Sequence, residues 1–261
     1  MKWIPLVLLL LLSACAREPE PLRVCADPNN LPFSNDKGQG LENRLVELIA
    51  ADLGRPVEYV WWAQRRGYAR NTLNEGRCDV WPGVASALEN LATTRPYYRS
   101  AYVFVTRADR NLDISSYDDP RLREMTIGVQ MVGDDASNTP PAHSLTRRGM
   151  VDNIRGYSLY GDYSHPNPPA RIIEAVDRGE VDAAVVWGPL AGYFAERAQN
   201  RLRLEPVTPW LDGPQFPMVF DISMGVRKDD AELRATLDAA IERNRPQIAR
   251  LLADYHVPLA P

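Results

Sequence analysis

The chain holds 261 residues, 45% of them hydrophobic and 25% charged, with 30 Lys and Arg against 34 Asp and Glu for a net charge of −4. That length allows one large domain or two small ones. The slight acidity, with Arg residues spread singly rather than in a stripe, excludes a nucleic-acid-binding surface.

The N-terminus carries Lys2, an apolar run from Ile4 to Leu12, and then Ser13-Ala14-Cys15. The run is short for a bilayer span and ends on small residues, the pattern of a secretory signal over residues 1–15. Leu12-Ser13-Ala14-Cys15 resembles a bacterial lipobox, in which Cys15 becomes the lipidated first residue of a membrane-anchored chain. Ordinary cleavage near Ala16 is the alternative, and it discards Cys15. Residues 16–21 read as a polar, Pro-containing tether on either route.

A strand from Leu22 leads through Cys25-Ala26-Asp27-Pro28-Asn29-Asn30-Leu31-Pro32-Phe33 into an amphipathic helix. That helix has Leu41, Leu45, Leu48, Ile49 and Leu53 at helical spacing and Gly54 as its stop. A second strand, Val57 to Trp62, precedes a short helix ending at Asn74-Glu75-Gly76 and a third strand from Cys78 to Gly83. The alternation predicts a parallel βαβ unit. Tyr102 to Arg107 reads as a strand leaving this unit, with residues 108–111 as a crossover. A second α/β set follows: a strand at Met125 to Val129, a helix at Pro169 to Gly179, a buried strand at Glu180 to Trp187 and a helix at Pro189 to Gln199. Val219 to Val226 is the return crossover, and Asp229 to Tyr255 is a long helical stretch bent or broken at Pro246. Asn138 to His143 and Tyr160 to Pro169 are rich in Pro, Asn and His and read as long loops, which carry function as readily as connection.

This order resembles the family 3 periplasmic solute-binding proteins that serve polar amino-acid uptake, over residues 22 to 258. The resemblance implies an α/β, type II two-lobe periplasmic binding protein fold, each lobe a sheet flanked by helices, with two crossovers. Lobe one would be 22–107 with 219–261, and lobe two 108–218. In that fold the first and third strands lie side by side. Cys25 and Cys78, an even pair in an exported chain, are therefore expected to be bridged rather than to be two buried thiols.

The amino-acid binders of this family place an Arg after a Glu in the loop past the third strand, to pair with the ligand carboxylate. Here Glu89 is followed by Asn90. They place an Asp at the end of the last lobe-two strand for the ligand ammonium, and here that position is Trp187. They bind an anion at a small hydroxyl loop on a helix N-terminus, and here the stretch is Met131-Val132-Gly133-Asp134-Asp135, whose carboxylates would repel one. A free α-amino acid is not expected as ligand. Aromatic residues stand in the cleft region instead: Phe33, Trp62, Trp81, Tyr97, Tyr98 and Trp187. Asp27, Arg65, Asn90 and Met131 complete the expected cleft set, and core packing competes with cleft exposure for each aromatic.

Nothing in the chain reads as catalytic. His143, His165 and His256 are isolated from any metal-ligand spacing, and no G-x-S-x-G elbow exists. Asp118-Asp119, Asp134-Asp135 and Asp229-Asp230 read as caps or solvated surface, and Gly38-Gln39-Gly40 as a turn. No cofactor and no metal are expected.

A closer match lies in Arg23 to Asn35, Trp61-Trp62-Ala63-Gln64-Arg65-Arg66-Gly67, Cys78-Asp79-Val80 and Arg95-Pro96-Tyr97-Tyr98-Arg99-Ser100. These stretches are similar to the solute-binding-protein relatives encoded beside PQQ-dependent methanol and alcohol dehydrogenases, the MxaJ/XoxJ type. That resemblance implies a non-catalytic periplasmic accessory protein that binds a quinoprotein alcohol dehydrogenase, the apo form included, during maturation or activation. Its lobes would stay open or carry a widened groove, because a stable protein interface needs roughly 800 Å² per partner. The alternative is the receptor of an ABC importer for a small, non-amino-acid ligand. A cleft holding PQQ itself would need Arg65, Arg66 and Arg95 beside an aromatic face.

Overall fold

The computed structural model describes residues 19–86, 88–132, 138–161 and 163–261, so Cys15 with its leader and Gly133-Asp134-Asp135 lie outside the described residues. In the first lobe Leu22–Ala26 pairs in parallel with Val57–Trp61. A parallel bridge between Val24 and Val80 carries the sheet on toward Trp81–Ala85. This third strand begins later than the predicted Cys78. The N–H groups of Asp79 and Val80 share one acceptor, the Arg23 carbonyl, which makes the ladder irregular there. The helix Leu41–Asp52 covers the sheet with Leu41, Leu45, Val46, Ile49 and Ala50. Its start is pressed onto the preceding loop: a Cβ on Gly40 would lie 2.0 Å from the Phe33 carbonyl oxygen, so only glycine permits the approach.

One strand joins the lobes. Tyr98–Arg107 is longer than the predicted Tyr102 to Arg107 and is shared between the lobes. Residues 98–101 pair with Val219–Val226, and residues 102–106 pair with Ala183–Trp187, both antiparallel. Leu202–Pro206, not anticipated from the sequence, pairs along residues 103–107. The second-lobe sheet continues in parallel from Ala183–Trp187 to Ile127–Met131 and then Ile154–Ser158. The helices Arg171–Asp177 and Gly188–Ala195 pack on it with Ile172, Ile173, Val176 and Leu190. Part of the predicted 138–143 loop is the start of a helix, Pro140–Arg147, because two prolines occupy its first turn, where the missing N–H costs nothing. The C-terminal stretch is two helices, Ala231–Arg243 and Arg245–Asp254, broken at Asn244 with Pro246 just inside the second. Among the described residues no helix is long and apolar enough to cross a membrane.

The lobes are closed against each other, contrary to the expectation of an open groove. Leu31 and Phe33 leave the first lobe and are buried in the second-lobe core with Leu159, Ala170 and Ile172. The Asn29 amide donates to the His165 carbonyl at 2.7 Å, and the Arg65 guanidinium to the Gly161 carbonyl at 2.7 Å. Tyr193 and Tyr255 stack at 5.6 Å, tying a lobe-two helix to the C-terminal segment.

Cys25 and Cys78 form the expected disulfide, with Cα atoms 5.5 Å apart, beside Leu73 and Tyr68. The bridge spans 53 residues. By chain entropy, closing such a loop stabilises by about 4 kcal/mol. Replacing both cysteines by Ser is expected to lower the unfolding free energy by that order in denaturant titration. Intact mass after alkylation without reduction should show no modified thiol among these two, and two labelled thiols would remove the bridge.

Candidate functional site

Between the closed lobes lies a cavity of about 260 Å³. The first lobe supplies Asn30, Phe33, Glu42, Gln64, Gly83, Tyr98 and Ile222, and the second lobe and shared strand supply Tyr102, Gln130, Val132, Thr139, Tyr160 and Trp187. Phe220 also lines it, and Trp187 sets its edge against Tyr102 at 5.4 Å and Phe220 at 5.9 Å. No Lys, Arg or His is among the described lining residues.

Local folding explains how these groups reach the cavity. Asn43 accepts from the N–H groups of Gly40 and Asn35, each at 3.0 Å, which fixes the turn into the first helix and delivers Glu42 in its opening turn. Gly83 has φ +75°, and a Cβ there would sit 1.8 Å from Glu42 Oε1, so the carboxylate rests against a bare backbone. The Gly83 N–H is already taken by the Tyr97 hydroxyl at 2.9 Å. No described group donates a hydrogen bond to the Glu42 carboxylate. Burial, with the negative charge of Asp27 adding to it, pushes this carboxyl up to about 8. Burial also raises the phenols of Tyr98, Tyr102 and Tyr160, which stay neutral at physiological pH. Asn30 donates to Gln64 Oε1 at 2.8 Å, while its own Oδ1 is buried without a partner.

The cleft residues expected from sequence are distributed widely. Phe33, Tyr98 and Trp187 line the cavity. Asp27 is buried beneath it and accepts from the N–H groups of Asn29 at 2.9 Å and Gln64 at 2.7 Å, with the Tyr163 hydroxyl beside it. Arg65 is spent on the interlobe bond to Gly161. Trp62 lies on the surface with the Arg77 guanidinium 4.9 Å over its ring. Trp81 packs on Tyr68 at 4.9 Å beside the disulfide, and Tyr97 is in the first-lobe core. Met131 packs against the second-lobe core, and Asn90 is exposed on a turn outside the cavity. Neither Arg65, Arg66 nor Arg95 lines the cavity, so an anionic quinone finds no counter-charge there. Among the described residues no cluster of three or more metal-ligating side chains exists.

Sequence reasoning passed over Glu42, Asn30, Gln64, Tyr102, Tyr160 and Phe220. An acidic residue in a first helical turn reads as a complement to the helix dipole, and that role hid Glu42. A carboxyl that holds its proton in the folded chain but releases it near pH 4.5 when unfolded lowers stability as pH rises from about 4.5 to about 8. Glu42→Gln is therefore expected to match the parent near pH 4.5 and to exceed it by about 1 kcal/mol or more above pH 8. Urea unfolding across that range measures it, and equal stabilities throughout would refute it.

The comparisons with known proteins agree with this architecture. The model of bacterial extracellular solute-binding proteins, family 3, matches residues 22–257. The chain is 37% identical to Protein MoxJ of Methylorubrum extorquens across 95% of this chain and 85% of that protein. Protein MoxJ of Paracoccus denitrificans is 31% identical across 97% of this chain and 94% of its own. Among solved structures, the periplasmic binding protein XoxJ from Methylobacterium extorquens AM1 superposes with a TM-score of 0.75 at 34% identity, covering 92% of this chain and 99% of that one. An ancestral cationic amino-acid solute-binding protein shares the fold at 20% identity, with a TM-score of 0.68 over 90% of this chain and 95% of that one. The chain belongs to the family 3 bacterial extracellular solute-binding proteins and stands with the MoxJ relatives within them.

Proposed function

We propose that this protein is a non-catalytic periplasmic accessory protein of a quinoprotein methanol or alcohol dehydrogenase, which it binds to aid the enzyme's maturation or activation. The observation that carries the reading is the similarity to MoxJ along 95% of the chain. The family's extracellular character supports a periplasmic site of action, with an anchor through Cys15 as part of the same reading. The cavity supports it from another side, because the groups that would hold an amino acid's carboxylate are absent from its described lining. With the lobes closed, the enzyme would meet the outer surface at the cleft mouth. Trp62 and Tyr163, 38% and 51% exposed, flank Asp27 there, since Trp62 N–H binds the Ala26 carbonyl and Tyr163 meets Asp27 itself. Aromatic anchors of this kind dominate interface energies. Trp187 serves the cavity rather than this surface.

A receptor for an ABC importer is the second reading, favoured by a cavity that persists between closed lobes. The standard amino acids are expected to leave the melting temperature unchanged in a thermal-shift screen. A dose-dependent rise with any of them would reject that exclusion, since an unpaired buried charge costs on the order of 3 to 5 kcal/mol.

Co-purification with the apo-dehydrogenase is expected, and Trp62→Ala with Tyr163→Ala should weaken the complex by about 2 kcal/mol or more by titration. No complex with either apo or holo enzyme would overturn the accessory reading.

A further inference from the structure

Two acceptors at the cavity, one half-buried and one fully buried, have no hydrogen-bond donor and no positive charge among the described lining residues. Glu42 presents a carboxylate with no hydrogen-bond partner among the described residues. Asn30, 1% exposed, lines the same space and leaves Oδ1 unpaired. A buried acceptor without a donor carries a desolvation cost, so the complementary molecule must bring N–H or positive charge. The walls answer the second need. Tyr102, Tyr160, Trp187, Phe33 and Phe220 line the space, and ring faces attract cations most strongly where water is excluded. The absence of Lys, Arg and His from the described lining leaves a ligand carboxylate unmatched.

We propose that the interlobe cavity is a binding site for a small organic ammonium ion that carries no carboxylate, with Glu42 as its counter-ion, Asn30 Oδ1 as a second acceptor and the surrounding rings as its cage. This inference is independent of the dehydrogenase reading, because it concerns the interior of the closed cleft and not the outer surface. At 260 Å³ the space suits a cation of alkylammonium to choline size rather than a peptide. Binding is coupled to protonation. The titratable groups that feel Glu42 are Asp27 at the end of the first strand, Tyr68 on its short helix, Tyr97 and Tyr98 at the start of the shared strand, and Tyr160 from the second lobe. None of them brings a positive charge. A cation therefore has to displace the Glu42 proton, and its affinity should climb with pH until the carboxyl is ionised on its own.

The test is calorimetric titration of the mature protein with choline and with its neutral isostere 3,3-dimethylbutan-1-ol, with methylammonium and lysine as further probes. Choline is expected to bind and the isostere at least tenfold more weakly. Choline affinity should rise close to tenfold per pH unit up to about 8 and then level off. Glu42→Gln, which should fold at least as stably as the parent, is expected to lose tenfold or more in affinity together with the pH dependence. Equal binding of choline and its isostere, unchanged affinity in Glu42→Gln, tighter binding of lysine than of either ammonium probe, or no heat from either cation at millimolar concentration would each overturn the proposal.

Discussion

Burial of Leu31 and Phe33 in the core of the opposite lobe is the contact on which the rest of the arrangement depends. Side chains of this size contribute about 1.5 to 3 kcal/mol each when fully buried, comparable with a large share of a domain's net stability. They are held at the right reach by a chain of local constraints. Gly40 lets the helix start lie on the Phe33 carbonyl, and Asn43 ties Gly40 and Asn35 together. The loop that inserts into the second lobe is thus braced by the first turn of a first-lobe helix. The same turn carries Glu42, so closing the lobes and roofing over a carboxylate are one structural event.

That coupling gives the cleft its electrostatic character. An exposed glutamate on a first helical turn would stabilise the helix and titrate in the ordinary range. Here it is half-buried against the bare backbone of Gly83, whose N–H is committed to Tyr97, and no described group donates to it. Asp27, one strand away, is stabilised differently: two backbone N–H groups satisfy it, although burial still raises its carboxyl. Of two acidic groups near one cavity, one braces the loop and the other faces the space.

The fold was legible because its signals are local and repeated. Leu41, Leu45 and Ile49 mark a helix face, Val219 to Val226, read as the return crossover, is a single strand with those bounds, and two cysteines on neighbouring predicted strands form their bridge. The site was less legible, since residence in the cavity depends on which way a loop turns. Asn90 and Trp81 sit near the expected positions in sequence, yet one faces outward on a turn and the other packs on Tyr68. Tyr102 was read as part of a strand, and it lines the cavity because the shared strand changes partners between Ala101 and Tyr102, at the junction of the lobes. The extent of closure was not readable either, because it rests on Asn29 and Arg65 finding backbone carbonyls more than 90 residues away.

Those carbonyl contacts bear on how such a protein would work. A ligand shifts a conformational equilibrium only by the difference in its affinity for the two states. Here the protein's own groups contribute to closure: Asn29 to His165, Arg65 to Gly161, Phe33 within the second-lobe core, and Tyr193 on Tyr255. Gly161 at φ +69° adopts a conformation that favours glycine, and a Cβ there would push on the Arg65 side chain, so the latch is shaped by sequence on both sides. Interlobe contacts made by the protein's own groups favour the closed arrangement and so fix how the outer surfaces of the two lobes sit beside each other. A fixed surface is what recognition of a large protein partner requires, because little ordering cost remains to be met on binding. The apolar reach of one loop into the other lobe thus both encloses the cavity and sets the outer surface that flanks it.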